Sequence, residues 1–315
     1  MHICVCNHAQ VNFQWNLFAV EAISSREHIS SQSRVIRREL SWLNLVTLEE
    51  EKTLMFKPKI GISMLHTLAE PFKIMLNTLA TVETDYVEIV DDGLHTLNKE
   101  RVKALNEIAK RRGIRFTLHC PIADINTASP SKTMLNASLK RLKQSMAYAY
   151  GLDAELWVLH PGQITGITPF YPGSDWRQNI LSIRLLHRVA REYGVRVAIE
   201  NVPQKYGSIM KTTEDFRRLY EETGLSDIGI VLDTGHANLE AQTERFLTQL
   251  PEKIFELHLS DNMGESDQHL GIGYGKIDWQ QFTSHLKRIT FNGIIMIESV
   301  FNVPESLTNL RQLLA

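Results

Sequence analysis

The chain has 315 residues, 34 Lys and Arg against 36 Asp and Glu, a formal charge of −2 and 43% apolar residues. That composition excludes wholesale disorder and supplies no global basic field for nucleic acid or anionic lipid, leaving only a local patch open. The length suits one large α/β domain with an extension.

Residues 1–54 are rich in Ser, Asn, Gln and His, and their RVIRREL segment lacks a clear amphipathic period. They are expected to form an N-terminal extension that packs poorly, or to precede a native start at Met55. A helix at 33–52 capping a barrel floor is the alternative, and both stay open. The apolar run VNFQWNLFAV has no basic stretch before it, and nothing approaches the ~18 apolar residues of a membrane span. Cys4, Cys6 and Cys120 cannot build a disulfide framework, so a soluble protein in a reducing, cytoplasmic setting is expected.

From Lys59 onward, short β-branched runs alternate with longer helical patterns, as repeated βα units do. The strand candidates are KIGISM (59–64), YVEIVD (86–91), RFTLHC (115–120), ELWVLH (155–160), RVAIEN (196–201), IGIVLD (228–233), IFELHL (254–259) and GIIMIES (293–299). Between them, NKERVKALNEIAKRRG repeats Val102, Leu105, Ile108 and Ala109 at helical spacing and places Gly113 where a C-cap belongs. Eight such units predict a closed (β/α)8 TIM barrel over 55–315, a single domain carrying the 1–54 extension.

In such a barrel the C-terminal strand ends form the active-site mouth. Six strand candidates in succession place His119, His160, Glu200, Asp233, His258 and Glu298 there, all of them metal ligands or acid/base groups. His236, Asp267 and His269 follow in the loops over the same mouth. Buried carboxylates gathered in one place need a cation or a partner, so a divalent metal is expected: Mn, Zn, Co or Mg, in a number the residues leave open.

His236, Lys205 and Glu88 are candidate substrate contacts, although an outward-facing Glu88 is an equal reading. Gly271, Gly273 and Gly275 could bring backbone amides to a phosphate, or simply form a tight turn. His66, His95 and His187 are expected to be structural, and Trp157 and Tyr150 to pack in the core.

The segments HCPIADINTASP, VLHPG, IENVP, LDTGHAN, HLSDN, D-Q-H-x-x-x-G-x-G-x-I-D-W and MIES, in this order, resemble the xylose-isomerase-like TIM-barrel superfamily over about residues 58–313. That superfamily includes sugar and sugar-phosphate isomerases and epimerases and the endonuclease IV class of DNA-repair enzymes. The resemblance implies a four-ligand metal site at Glu200, Asp233, His258 and Glu298, with the two glutamates as the proton-transferring pair. For the three-zinc endonuclease class it implies His119 and His160 with Glu200 at one ion, and His236, Asp267 and His269 at another.

The loops set sugar chemistry ahead of DNA repair. Asp91, Asp92, Asp124, Asp175, Glu240, Asp261 and Glu265 stand against Lys132, Arg177, Lys205 and Lys276, an acidic mouth that repels a polyanion. The expected partner is therefore a small sugar or sugar phosphate rather than nucleic acid or membrane, and homo-oligomerisation stays open. The runner-up is an endonuclease IV-like zinc phosphodiesterase acting on abasic DNA. A non-catalytic sugar-binding barrel is disfavoured by the intact Glu200 and Glu298 pair. Tyr274 departs from the G-E-G that the resemblance leads one to expect.

Overall fold

The computed structural model describes residues 56–315. The expected extension at 1–54 and its boundary lie outside the described residues. Eight parallel strands close into a barrel in sequence order. They are β1 (Lys59–Ser63), β2 (Tyr86–Val90), β3 (Arg115–His119), β4 (Trp157–Leu159), β5 (Val197–Glu200), β6 (Gly229–Asp233), β7 (Ile254–Leu259) and β8 (Ile294–Ile297). Closure is made by β1 pairing with β8, Lys59 opposite Ile294 and Ile62 opposite Ile297.

The connecting helices are α1 (Phe72–Thr81), α2 (Lys99–Arg112), α3 (Lys132–Gly151), α4 (Ser174–Tyr193), α5 (Thr213–Thr223), α6 (Thr234–Leu239), α7 (Thr243–Gln249), α8 (Trp279–Arg288) and α9 (Val303–Leu314). Their limits follow local chemistry. Asn98 caps α2 through Arg101 N, and Gly113 ends it in the left-handed conformation. Thr212 and Asp215 form a reciprocal capping box at the start of α5.

Period-2 alternation along the strands sorts side chains between two environments. Phe116, Leu118, Ile199, Ile230, Leu232 and Leu257 face outward to meet Leu105, Leu142, Leu186, Phe216 and Phe246 from the helices in one apolar layer. Burial of this kind contributes roughly 1.5–3 kcal/mol per large side chain. Trp157 is fully buried and donates its indole N–H to Ser145 Oγ at 3.2 Å. Tyr150, expected in the core, is instead 62% exposed near the end of α3, with its ring centroid 5.6 Å from that of Tyr193. The expected structural roles of His95 and His187 fit their contacts, Nε2 of His95 to the Glu70 carbonyl and Nε2 of His187 to Asp227.

The inward positions are polar toward the C-terminal end of the barrel, at Glu200, Asp233 and His258. Among the described residues no helix is long and apolar enough to cross a membrane.

Candidate metal centre

The last inward positions of the later strands bring the predicted residues together. Glu200 ends β5, Asp233 ends β6, His258 lies in β7 and Glu298 follows β8, and one ligand atom from each lies within 4.8 Å of the others. All four are buried. Two further groups meet the same distance limit: His119 and His160 with Glu200, and His236 with Asp267 and His269. All nine residues expected at the mouth are therefore gathered there.

Short local links hold them. Asp233 caps α6, its Oδ1 accepting from His236 N at 2.6 Å, so the D-T-G-H spacing aims both side chains at one place. Gly235 is needed between them, because a Cβ there would stand 2.7 Å from Ser260 Oγ. Asn201, just after β5, clamps the next strand: its Oδ1 accepts from Asp233 N at 2.8 Å and its Nδ2 donates to Asp233 O at 3.2 Å.

The histidines are oriented from behind. Nδ1 of His119 lies 2.8 Å from the Cys120 carbonyl, Nδ1 of His236 2.9 Å from that of Asn201, and Nδ1 of His269 3.0 Å from that of Glu298. Each carbonyl can only accept, so the proton sits on Nδ1 in the neutral rings and the Nε2 lone pair faces the centre, the usual support for a metal-binding imidazole. Those Nε2 atoms reach carboxylates: His119 to Glu200 at 3.2 Å, and His236 and His269 to Asp267 at 3.1 Å each. His160 Nε2 also reaches Glu200, at 3.1 Å. His258 is turned the other way, with Nδ1 3.2 Å from Glu298 and 3.6 Å from Glu200, and Nε2 3.1 Å from Glu88.

Electrostatics mark the cluster as strained without a cation. Burial opposes charge on His119, but the hydrogen bond to Glu200 and the charges of Glu88, Glu200 and Glu298 raise it to about 9. Burial likewise opposes charge on His269, and Asp267 and Glu298 outweigh it and raise it to about 9. Asp233 is pushed up to about 8, first by burial, with the His236 charge opposing and the neighbouring carboxylates adding. Asp233 Oδ2 and Asp267 Oδ1 are buried with no hydrogen-bond partner. Orphaned carboxylate oxygens beside aimed imidazole nitrogens fit a divalent cation, and the mixed N and O donor set suits Mn, Zn or Co.

Above the cluster is a cavity of about 630 Å³ lined by seven of the nine residues and by Leu65, Val90, Ile122, Ala123, Gln163, Val202 and Tyr206. Neither Lys nor Arg is on that lining. Tyr206, which the residue pattern did not single out, places its hydroxyl 3.3 Å from Asp267. Of the expected substrate contacts, His236 lines the cavity. Glu88 does not: it is wholly buried beneath, against His258. Lys205 also lies off the lining, exposed on the turn after β5 with Nζ 5.9 Å from the Tyr206 ring centroid.

The acidic mouth needs correction as well. Asp91 is fully buried and paired with Arg141, and Asp92 accepts from the backbone of Gly93, Ile122 and Ala123. Asp261 accepts from Trp279 Nε1 at 2.8 Å and from the amides of Gly273 and Ile277. The glycine loop therefore wraps a carboxylate of its own chain rather than offering those amides to a phosphate, and Gly275 packs where a Cβ would run into Asp261 and Asn262.

The family model described as the xylose isomerase-like TIM barrel matches residues 76–313. An uncharacterised protein of Methanocaldococcus jannaschii is 34% identical over 234 residues, 73% of this chain and 88% of that protein. The D-psicose 3-epimerase of Ruminiclostridium cellulolyticum is 23% identical over 236 residues, 72% of this chain and 78% of that one. A probable endonuclease 4 of Thermosipho africanus is 29% identical over 171 residues, 49% of this chain and 58% of that one. Among solved structures, a D-tagatose 3-epimerase-like protein superposes with a TM-score of 0.72 at 28% identity, over 82% of this chain and 100% of that one.

Proposed function

Because the chain belongs to the xylose isomerase-like TIM-barrel family, we propose that it is a divalent-metal-dependent isomerase or epimerase acting on a small sugar or sugar phosphate. The observation that carries this reading is the placing of Glu200 and Glu298. Both line the cavity, from β5 and β8, while Asp233 and His258 lie between them on β6 and β7. Two carboxylates on either side of one metal group suit removal of a proton beside a carbonyl and its return. The relatives named as 3-epimerases support sugar chemistry, and a cavity of about 630 Å³ suits a small molecule.

In this reading Glu200, Asp233, His258 and Glu298 hold the ion, with Mn, Zn, Co and Mg as candidates. A bound divalent ion supplies positive charge next to the substrate oxygen that becomes anionic. In the ion-free chain burial would raise the Glu298 carboxyl but the charge of His258 holds it down at about 2; with the ion bound, the positive charge of the ion would take that place, and Glu298 is the carboxylate that accepts the proton. Glu200 is also held well below the usual carboxylate range: burial opposes this, and the His160 charge with hydrogen bonds from His119, His160 and His236 prevails. His236 and Tyr206 face the cavity and orient hydroxyl groups of the substrate.

A second reading has its own observation. His119 and His160 on Glu200, and His236, Asp267 and His269, complete the nine-residue set implied for a three-zinc phosphodiesterase acting on abasic DNA. The absence of Lys and Arg from the cavity lining argues against a polyanion there. Incubating the Mn²⁺-loaded protein with a panel of ketoses and ketose phosphates, and separately with an abasic-site duplex, tests the two together. Conversion of a sugar supports the first reading, and nicking without sugar conversion replaces it with the second.

A further inference from the structure

One layer below the metal group, inside the barrel, lies a second cluster that shares only His258 with it. Glu88 on β2, Glu256 on β7 and His258 on β7 are each wholly buried, with one ligand-type atom from each within 4.8 Å of the others. Glu256 sits two residues before His258 on the same inward face. Thr117 on β3, in register with Glu88, donates to Glu256 Oε1 at 3.2 Å. Both oxygens of Glu88, Oε2 of Glu256 and both ring nitrogens of His258 have no well-formed hydrogen bond. His258 Nε2 lies 3.1 Å from Glu88 Oε2 and 3.6 Å from Glu256 Oε1.

Two resolutions compete for this cluster: a further cation, or a proton on the imidazole. The metal group decides between them. His258 presents Nδ1 to Glu298 and Glu200, and a nitrogen that binds an ion needs its lone pair. The neutral ring must then carry its proton on Nε2, which removes that nitrogen as a ligand and leaves it a donor facing Glu88. Three other histidines at the site are anchored through Nδ1 to main-chain carbonyls. Deep in the barrel the strand carbonyls are spent on the sheet, and a carboxylate stands in their place.

We propose that Glu88 is a positioning residue: it accepts the Nε2–H of His258 and so fixes the ring with Nδ1 aimed at the metal, while Glu256, held by Thr117, backs it. This rests on the metal reading given above. A carboxylate behind a metal-binding imidazole raises its basicity and fixes its orientation, and its loss typically weakens metal binding 10–100-fold.

Two measurements test this. The first uses the intact protein labelled with ¹⁵N-histidine and loaded with Zn²⁺, the His258 ring being assigned by its loss in His258→Asn. The expected result is a proton on Nε2 and none on Nδ1; a proton on Nδ1, or a bare Nε2, overturns the proposal. The second compares Glu88→Met and Glu88→Gln with the parent by Co²⁺ titration, read from the visible absorption, alongside the thermal midpoint of the ion-free proteins. Glu88→Met is expected to bind Co²⁺ about 10–100-fold more weakly with an altered band shape, and Glu88→Gln, whose amide oxygen still accepts, to recover part of the loss. Lowered midpoints with Co²⁺ affinity and spectrum unchanged would mean a merely structural role and overturn the proposal. A parent protein that takes up no ion overturns the metal reading as well, whereas a parent that binds Co²⁺ no better than Glu88→Met overturns this inference alone.

Discussion

Nε2 of His236 and Oδ2 of Asp267 stand 3.1 Å apart although 31 residues separate them in the chain. One comes from the helix that Asp233 caps after β6, the other from the loop after β7, and the meeting point also receives His269. This group shares no ligand with the four residues at the ends of β5 to β8 that hold the ion in the proposed function. Asp233→Ala is expected to reduce the metal content measured by elemental mass spectrometry, and Asp267→Ala to leave most of it in place; loss of a separate part of the metal in Asp267→Ala would favour the three-zinc reading. A protein that folds with no divalent ion after expression in metal-supplemented medium would contradict the metal reading altogether.

Metal uptake should release protons. His119 and His269, raised to about 9, and Asp233, raised to about 8, all hold protons at pH 7 in the ion-free chain. A ligand must lose its proton to bind, so these groups oppose binding below their raised values and cease to oppose it above them. Affinity is therefore expected to climb between pH 7 and pH 9. Calorimetric titrations in buffers of different ionisation enthalpy should show more than one proton released per chain at pH 7 and fewer at pH 9.5. Equal release at both values would refute this assignment of charge.

Asn201→Ala should be costly for a residue outside the metal group. The change leaves the buried N–H of Asp233 without its 2.8 Å partner and unties the ends of β5 and β6. An unsatisfied buried donor costs about 1–3 kcal/mol. For a domain of this size a fall of several degrees in thermal midpoint is expected, at about 2–4 °C per kcal/mol.

The barrel closes through β1, which begins at Lys59, so the segment before Met55 is not required to complete the sheet. We propose that 55–315 is the folding unit. A chain beginning at Met55 should keep its midpoint and metal content; a loss of several degrees would assign residues 1–54 to the fold.

The eight strands were readable because β-branched and other apolar residues dominate each run, and the site was readable because His, Asp or Glu stands near the end of six runs in succession. The clustering below the mouth was readable in principle: E-L-H in β7 puts Glu256 and His258 on one face, and period 2 relates Thr117 to His119. What hid Glu88 was its partner, 170 positions away on the far side of a closed sheet. Tyr206 and Lys205 are adjacent on one short turn, and it is the folded turn that puts the phenol on the cavity lining and leaves the ammonium off it. Asp91 and Asp261 looked like a repulsive rim until Arg141 and Trp279, distant in sequence, proved to absorb them. The corrected rim weakens the charge argument against DNA but leaves a cavity lining without Lys or Arg.

The most direct test of the central claim, that Glu200 and Glu298 exchange a proton beside a carbonyl, is deuterium incorporation. The Mn²⁺-loaded protein is incubated in D₂O with ketoses and ketose phosphates, and the carbon next to the carbonyl is followed by NMR, for the parent, Glu200→Gln and Glu298→Gln. The account predicts incorporation in the parent and a loss of about 10²–10⁴-fold in each variant while bound metal is largely retained. No incorporation with any sugar by a metal-loaded parent, or incorporation that persists in both variants, would contradict it.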